Sequence, residues 1–249
     1  MAKKRCTAIV LAAGSGSRMK STVAKQYLPL AGKPLICHAL QAVERSEIID
    51  DCILVTGEPD MEYVRTEIVE KYNFRKVVSI VTGGAERYLS VANALEKMAA
   101  GGLKVPNTDG YVFIHDGARP FLTEEILQRT YDAVTQHHAC VAAMPVKDTV
   151  KIADENGFAA QTPDRRYVWA IQTPQVFDTL LIQEAYRKLK ENLPEMKRQG
   201  ISVTDDAGVV ERFTDYRVKL VEGDYSNLKV TTPEDIQIAE ALLSKAENP

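Results

Sequence analysis

The order in which apolar segments recur constrains this chain more than any other feature. Five strand-length runs are present: Cys6–Ala12, Cys52–Thr56, Val77–Val81, Tyr111–His115 and Cys140–Met144. Between them lie the longer segments Leu35–Arg45, Met61–Tyr72, Arg87–Ala99 and Glu124–His137, whose apolar residues recur at helical spacing. Alternation of this kind predicts an α/β fold, a mostly parallel sheet with helices on both faces. Near-continuous apolar stretches such as "AIVLAA" and "CVAAM" suit strands covered on both sides. Ligands of such open sheets bind beyond the carboxyl ends of the strands. Every candidate motif in this chain follows a strand.

The rhythm changes after Pro145. "DTVKIADENGFAAQTPDRR" reads as two extended, polar segments around Asn156-Gly157, a hairpin turn signal. Its polarity predicts an arm projecting from the sheet at about 146–167. A lone two-stranded hairpin is marginal in water, so a second subunit is the expected partner surface. Helix resumes at Thr179–Lys190, and a last helix starts at Thr232-Pro233-Glu234-Asp235, with proline at the first helical position and acids on the positive dipole end. No linker, low-complexity stretch or repeat interrupts the chain, so residues 1–249 are expected to form one domain with an arm.

The segment after the first strand is "LAAGSGSRMKSTVAKQYLPLAGKPL". Gly14 and Gly16 permit a sharp turn and close approach of backbone N–H groups to a ligand. Two familiar nucleotide loops are excluded. Met19 stands where a dinucleotide-binding turn needs its third glycine, and Gly32-Lys33 is followed by Pro34 rather than Ser or Thr. What remains is a glycine turn followed by two cations, Arg18 and Lys25, which suits a triphosphate under attack. The formal net charge is -3, so no global attraction to nucleic acid or to an anionic membrane is expected, and phosphate chemistry must rest on local cations. No apolar run approaches the ~20 residues of a membrane span. The basic start runs into a strand and a glycine turn rather than a cleavage site. Cys6, Cys37, Cys52 and Cys140 are scattered without a C-x-x-C pair and read as reduced core thiols of a cytoplasmic protein.

The loop "LAAGSGSRM…AKQYLPLAGKPL" resembles the signature of the sugar-phosphate nucleotidyltransferases. "GGAERYLSV", "VFIHDGARPF", "VKDTVK", "DRRYVWAIQTPQVF", "TDDAGVVE" and "NLKVTTPED" resemble, in order, the blocks of the 2-C-methyl-D-erythritol 4-phosphate cytidylyltransferase family, over essentially the whole chain. The resemblance implies a Rossmann-like nucleotide-diphospho-sugar transferase fold, and a Mg²⁺-dependent transfer of CMP from CTP to a polyol phosphate, other divalent cations being acceptable. It implies that Arg18 and Lys25 contact the triphosphate, and that Ala12, Ala13, Gly14, Ser15 and Gly16 wrap the nucleotide. Gly83 and Ser90 fall at the cytosine pocket, Asp116 beside the Mg²⁺ and the substrate, and Arg119 on the substrate side. Thr149, Arg165, Thr204 and Lys229 match residues that hold methylerythritol phosphate, with Arg165 and Lys229 also catalytic. Thr149 and Arg165 lie on the arm, which in the family crosses to the neighbouring subunit of a homodimer.

His115, His137 and His138 are expected to be structural or solvent-facing, and Tyr167 and Trp169 to be packing residues. Three positions depart from the family pattern. Ala24 replaces the usual proline before Lys-Gln, Ala85 a residue that is often acidic, and Gly117 is a less common choice. Two rival functions are a ribitol-5-phosphate cytidylyltransferase and a catalytically silent nucleotide-binding protein. "LAAGSGSR" and "TDDAGVVE" favour the methylerythritol enzyme over the first. Retention of Arg18, Lys25, Asp116 and Lys229 argues against the second.

Overall fold

The computed structural model describes residues 3–14 and 24–247. Strand β1 (Cys6–Ala12) is followed by a single 3-10 turn at Lys25–Tyr27, a small ladder of β2 (Pro29–Leu30) with β3 (Lys33–Pro34), and α1 (Leu35–Arg45). Next come β4 (Asp51–Thr56), α2 (Met61–Tyr63), β5 (Val77–Thr82), α3 (Arg87–Ala99) and β6 (Tyr111–Asp116). Then follow α4 (Glu124–His137), β7 (Ala139–Pro145), the arm strands β8 (Ile152–Ala153) and β9 (Ala159–Gln161), and β10 (Trp169–Asp178). The chain ends with α5 (Thr179–Arg198), α6 (Asp206–Phe213), β11 (Lys219–Glu222) and α7 (Pro233–Glu247).

Seven strands form the sheet in the order β11-β7-β10-β6-β1-β4-β5. β10 alone runs antiparallel to its neighbours β6 and β7; the other pairings are parallel. Alternate residues of each strand enter opposite apolar layers. Ala8, Val10 and Ala12 of β1 pack with α1 and α4, while Ile9 packs with α3, α5 and α6. From β1 the chain steps outward through β4 and β5, then returns to place β6 on the other side of β1. That reversal opens a crevice at the carboxyl ends of β1 and β6. Register puts Leu11 opposite Asp116, and Ala12 opposite Thr56. Ala13-Gly14, where the glycine segment begins, and the acid of "HDGARP" therefore lie together at the switch point.

Besides α6, β11 and the short β2–β3 ladder, which the apolar pattern did not predict, three elements differ from the sequence expectation. The helix predicted at Met61–Tyr72 becomes one α turn and then a π-helical stretch, Val64–Glu70, in which Lys71 N–H reaches Thr66 O. α5 runs through Pro194 to Arg198 instead of stopping at Lys190. β10 was not expected at all, because a proline and three amide or hydroxyl side chains interrupt its apolar pattern. Its register shifts between Ile171 and Gln175, around a cis Thr173–Pro174 peptide. The polar side chains there are buried and used. Gln175 Oε1 accepts from Ala207 N at 2.8 Å, and Gln172 Nε2 donates to Asp224 O at 2.7 Å.

The arm forms, but its turn is not a two-residue Asn-Gly loop. Only Gly157 has positive φ, at 84°. Asp154 organises the turn, its Oδ1 accepting from Asn156 N and Phe158 N, both at 2.9 Å. Tyr167 is 78% exposed rather than packed, while Trp169 is half-buried at the start of β10.

Candidate active site

One cavity, of about 310 Å³, lies against the glycine turn. Ala12, Ala13 and Gly14 form one wall, the Gly84–Arg87 segment another, and Lys25 the rim. Ser15, Gly16 and Arg18 lie outside the described residues. Lys25 opens the 3-10 turn that Gln26 and Tyr27 anchor. Gln26 Nε2 donates to Ala12 O at 2.5 Å, and Tyr27 Oη bonds Thr56 Oγ1 at 2.5 Å. Ala24, at φ -59°, has the backbone angle that a proline ring imposes, so its substitution leaves this turn intact.

Gly83 is dictated by packing. A Cβ there would collide with the Ala13 side chain and stand 2.9 Å from Ser90 Oγ. Ser90 borders the cavity, but its hydroxyl is engaged by the loop, accepting from Gly84 N at 3.0 Å and donating to Glu86 O at 3.3 Å. Its immediate effect is to hold the Gly83–Glu86 turn. Gly117 is held in the same manner, because a side chain there would press on Leu11 O at 2.8 Å.

Asp116 closes β6 and is 7% exposed. Three cations surround it. Lys229 Nζ lies 2.8 Å from Oδ2, Arg87 Nε 3.3 Å from Oδ1, and Arg119 Nε 3.6 Å from Oδ2. Burial favours the neutral acid, but Arg87, Lys229 and Arg119 hold its carboxyl well below the usual carboxylate range. Behind it, Asp116 N donates to Thr173 Oγ1 at 3.1 Å, and Thr173 Oγ1 bonds His115 Nδ1 at 2.9 Å. His115 Nε2 lies 3.1 Å from the Arg119 carbonyl. A neutral ring satisfies this chain with Nε2 donating to the carbonyl and Nδ1 accepting from the Thr173 hydroxyl. Burial accordingly pushes His115 down to about 4. The histidine is structural, as expected.

A second cavity, about 460 Å³, opens on the other side of this cluster. Arg119, Thr204, Asp205 and Gln175 border it, and Arg87, Asp116 and Lys229 belong to both cavities. Arg119 donates to Asn227 O at 2.8 Å, and its buried Nε has no hydrogen-bond partner among the described residues. Lys229 is set by its neighbours, since Val230 N bonds Ala118 O at 2.9 Å and Asn227 Nδ2 bonds Thr173 O at 2.9 Å. Of the expected substrate residues, Asp116, Arg119, Thr204 and Lys229 come together. Thr149 and Arg165 do not. Both are exposed on the arm, Arg165 donates to Lys147 O at 2.6 Å, and neither borders either cavity.

Among the described residues no cluster of three His, Cys, Asp or Glu side chains is placed to cage a metal. Both Asp116 oxygens already face cations. Mg²⁺ needs only one or two carboxylates where phosphates supply the other oxygens. These residues therefore fit an ion brought in on a nucleotide, not one held by the protein alone.

Two residues of the site, half-buried Arg87 and buried Asp206, escaped sequence reasoning. Arg87 donates to both oxygens of Asp206, at 2.9 and 2.8 Å, while Asp206 is fully buried. Both lie within quoted blocks, "GGAERYLSV" and "TDDAGVVE", yet each alone reads as an ordinary surface charge.

A glycine turn and a buried, cation-ringed acid at the switch point of an open sheet define a nucleotide-binding phosphoryl-transfer enzyme of the α/β class. The profile of the family described as IspD, 2-C-methyl-D-erythritol 4-phosphate cytidylyltransferase, matches residues 6–245. A protein of that name from Lachnospira eligens is 48% identical over 233 residues, 94% of this chain and 96% of its own. Another from Caldanaerobacter subterraneus is 44% identical over 240 residues, 96% of this chain and 99% of its own. The crystal structure of 4-diphosphocytidyl-2C-methyl-D-erythritol synthase from Anaerococcus prevotii superposes with TM-score 0.80 at 38% identity, over 97% of each chain. The chain belongs to the 2-C-methyl-D-erythritol 4-phosphate cytidylyltransferase family.

Proposed function

We infer that the protein transfers CMP from CTP to 2-C-methyl-D-erythritol 4-phosphate, giving 4-diphosphocytidyl-2-C-methyl-D-erythritol and pyrophosphate. Family membership supports the reaction. The observation that carries the reading onto this chain is the pair of cavities sharing Arg87, Asp116 and Lys229, one on the glycine turn and one beyond it. CTP occupies the first and the polyol phosphate the second. A phosphate oxygen of the polyol phosphate attacks the α-phosphorus in line, and the bond to the bridging oxygen of pyrophosphate breaks. The nucleophile is already an anion, so no general base is required. Catalysis is then positioning and charge stabilisation. Lys25 and Arg18 meet the charge developing on the triphosphate, while Lys229, Arg119 and Thr204 hold the polyol phosphate.

Mg²⁺ would enter on the CTP phosphates with Asp116 as the carboxylate beside it, and when bound it would neutralise charge on the phosphate oxygens. The protein acts as a homodimer through the 146–167 arm, with Thr149 and Arg165 completing the partner's site. That neither residue lines a cavity of its own chain supports this, as do exposed Ile152, Phe158 and Tyr167 on the arm. One domain carrying this arm is the organisation proposed. A cytoplasmic setting suits four buried, free cysteines. The decisive assay is pyrophosphate release from CTP with Mg²⁺ and either methylerythritol phosphate or ribitol 5-phosphate. Turnover with the first is expected. Preference for ribitol phosphate, or equal kcat/KM with ATP, would overturn the assignment.

A further inference from the structure

Arg87 is the first residue of α3 and borders both cavities. Its guanidinium is committed on every side that the cluster offers, bidentate to Asp206 and through Nε to Asp116. Asp206 is in turn fixed from behind by Tyr186, whose buried hydroxyl donates to Oδ1 at 2.5 Å. Burial, reinforced by Asp206, raises the Tyr186 phenol well above its ordinary range, so it serves only as a donor. A bidentate arginine–carboxylate pair fixes angle as well as distance. Asp206 opens α6, immediately after Asp205 and Thr204 on the second cavity. α3 follows the Gly83–Glu86 turn on the first. One ion pair thus ties together the helix heads of the two cavities.

We propose that Arg87, clamped by Asp206 and Tyr186, is a positioning residue for the second substrate, holding Asp116 so that Lys229 and Thr204 keep their places around the polyol phosphate. Arg87 occupies Oδ1 of Asp116, and Lys229 takes Oδ2 at 2.8 Å. With Arg87 released from Asp206, Asp116 turns with it, Lys229 follows the carboxylate, and the head of α6 loses its tie. Arg87 also belongs to the wall of the first cavity, but that wall has a second support, Ser90 Oγ on Gly84 N and Ala13 packed against Gly83, so the nucleotide side should be disturbed less than the second cavity.

The proposal rests on the cytidylyltransferase reading, and its test separates the two. Steady-state kinetics of Asp206→Asn, Tyr186→Phe and Arg87→Lys are measured beside the wild type, with thermal melts. Asp206→Asn should raise KM for methylerythritol phosphate about 10-fold while KM for CTP stays within about 2-fold. Tyr186→Phe keeps the packed ring and should move the same parameter by about 3-fold, so it carries the test if Asp206→Asn does not fold. Arg87→Lys keeps the charge but not the fork, and should reproduce the split rather than rescue it. A purely structural role predicts a smaller active fraction, hence lower apparent kcat with both KM values unchanged. That result, or equal rises in both KM values, overturns the proposal. Absence of turnover in the wild type sinks the reading of the cleft, and the inference with it.

Discussion

Asp116 and Asp164 are both aspartates paired with arginine, in opposite surroundings. Asp116 is buried at the end of β6 among Arg87, Arg119 and Lys229. Asp164 sits on the arm with Arg166 at 2.6 Å, both in solvent. The exposed pair is screened and trades one set of water contacts for another, so its net worth is small. Asp116 and Arg119 are buried, with Arg87 and Lys229 half-buried around them, so these charges lean on one another far more than the arm pair does. Charge in the cleft is therefore part of the architecture, whereas charge on the arm is available to something outside the chain. The difference separates residues that build the site from residues that are delivered to one.

The largest expected effect comes from breaking the buried side. Asp116→Asn leaves Arg87, Arg119 and Lys229 facing one another with Asp206 as their nearest remaining anion. Removing one partner of a buried ionic set typically costs about 3–5 kcal/mol, to be read from urea denaturation. Asp164→Asn on the arm should leave the midpoint where it is. Equal midpoints for the two variants would mean that the cluster is hydrated and the contrast false.

His115, which backs the cluster, sharpens the same contrast through pH. Its imidazole titrates near 6.5 when unfolded and about 4 when folded. The unfolded chain thus takes the proton first. The stability this group contributes is complete above about pH 6.5 and is lost as pH falls towards 4, by about 3 kcal/mol. His38, also pushed down by burial, adds to this window, so the comparison is made against His115→Gln. Glutamine can accept from Thr173 and donate to the Arg119 carbonyl without titrating. The variant should show a flatter melting temperature between pH 6.5 and 4. An unchanged slope would place the acid sensitivity elsewhere.

These buried partners also mark the limit of what the sequence discloses. Local pattern was enough for α1, α3 and α4, which begin and end where apolar spacing and the Thr123 cap put them. Pattern alone put Asp116 just past an apolar strand, but its place in the site came from the family resemblance. β10 was illegible because its Gln172, Thr173, Pro174 and Gln175 serve neighbouring loops rather than an apolar layer. Arg87 and Asp206 were illegible for a different reason. They are 119 positions apart, and only the sheet order brings α3 and α6 together. The arm was legible as a hairpin from Gly157, but Asp154, which builds its turn, looks like any polar residue.

On the arm the expected loss is of activity without stability. Arg165 donates within its own chain only to the Lys147 carbonyl and is exposed. Arg165→Ala should lower kcat about 100-fold with an unchanged denaturation midpoint. If the arm serves the partner subunit, an Arg165→Ala chain and a Lys25→Ala chain should complement when co-assembled. Random mixing makes about half the dimers mixed, each with one intact site, so about a quarter of wild-type activity should return. No recovery in verified mixed dimers would show that the arm serves its own chain.

The smallest effect concerns the tip. Phe158 is 73% exposed beside the Asp154 turn, an unusual place for a phenylalanine unless another surface covers it. Its backbone makes the turn, donating to Asp154 Oδ1 at 2.9 Å and accepting from Asp154 N at 2.9 Å, so the side chain is not needed for the hairpin itself. Phe158→Ser should therefore leave unfolding of the isolated chain within about 0.5 kcal/mol of wild type. Burying a phenylalanine against a partner is worth about 1.5–3 kcal/mol, and part of this ring is already covered, so if the arm makes the proposed dimer its association should weaken about 10-fold. Sedimentation velocity across a dilution series reads that constant directly. A dissociation constant that does not move would mean that the tip faces solvent in the dimer too. The arm would then have to be held by Ile152 and Tyr167 nearer its base, and the division between built and delivered residues would shift towards the cleft.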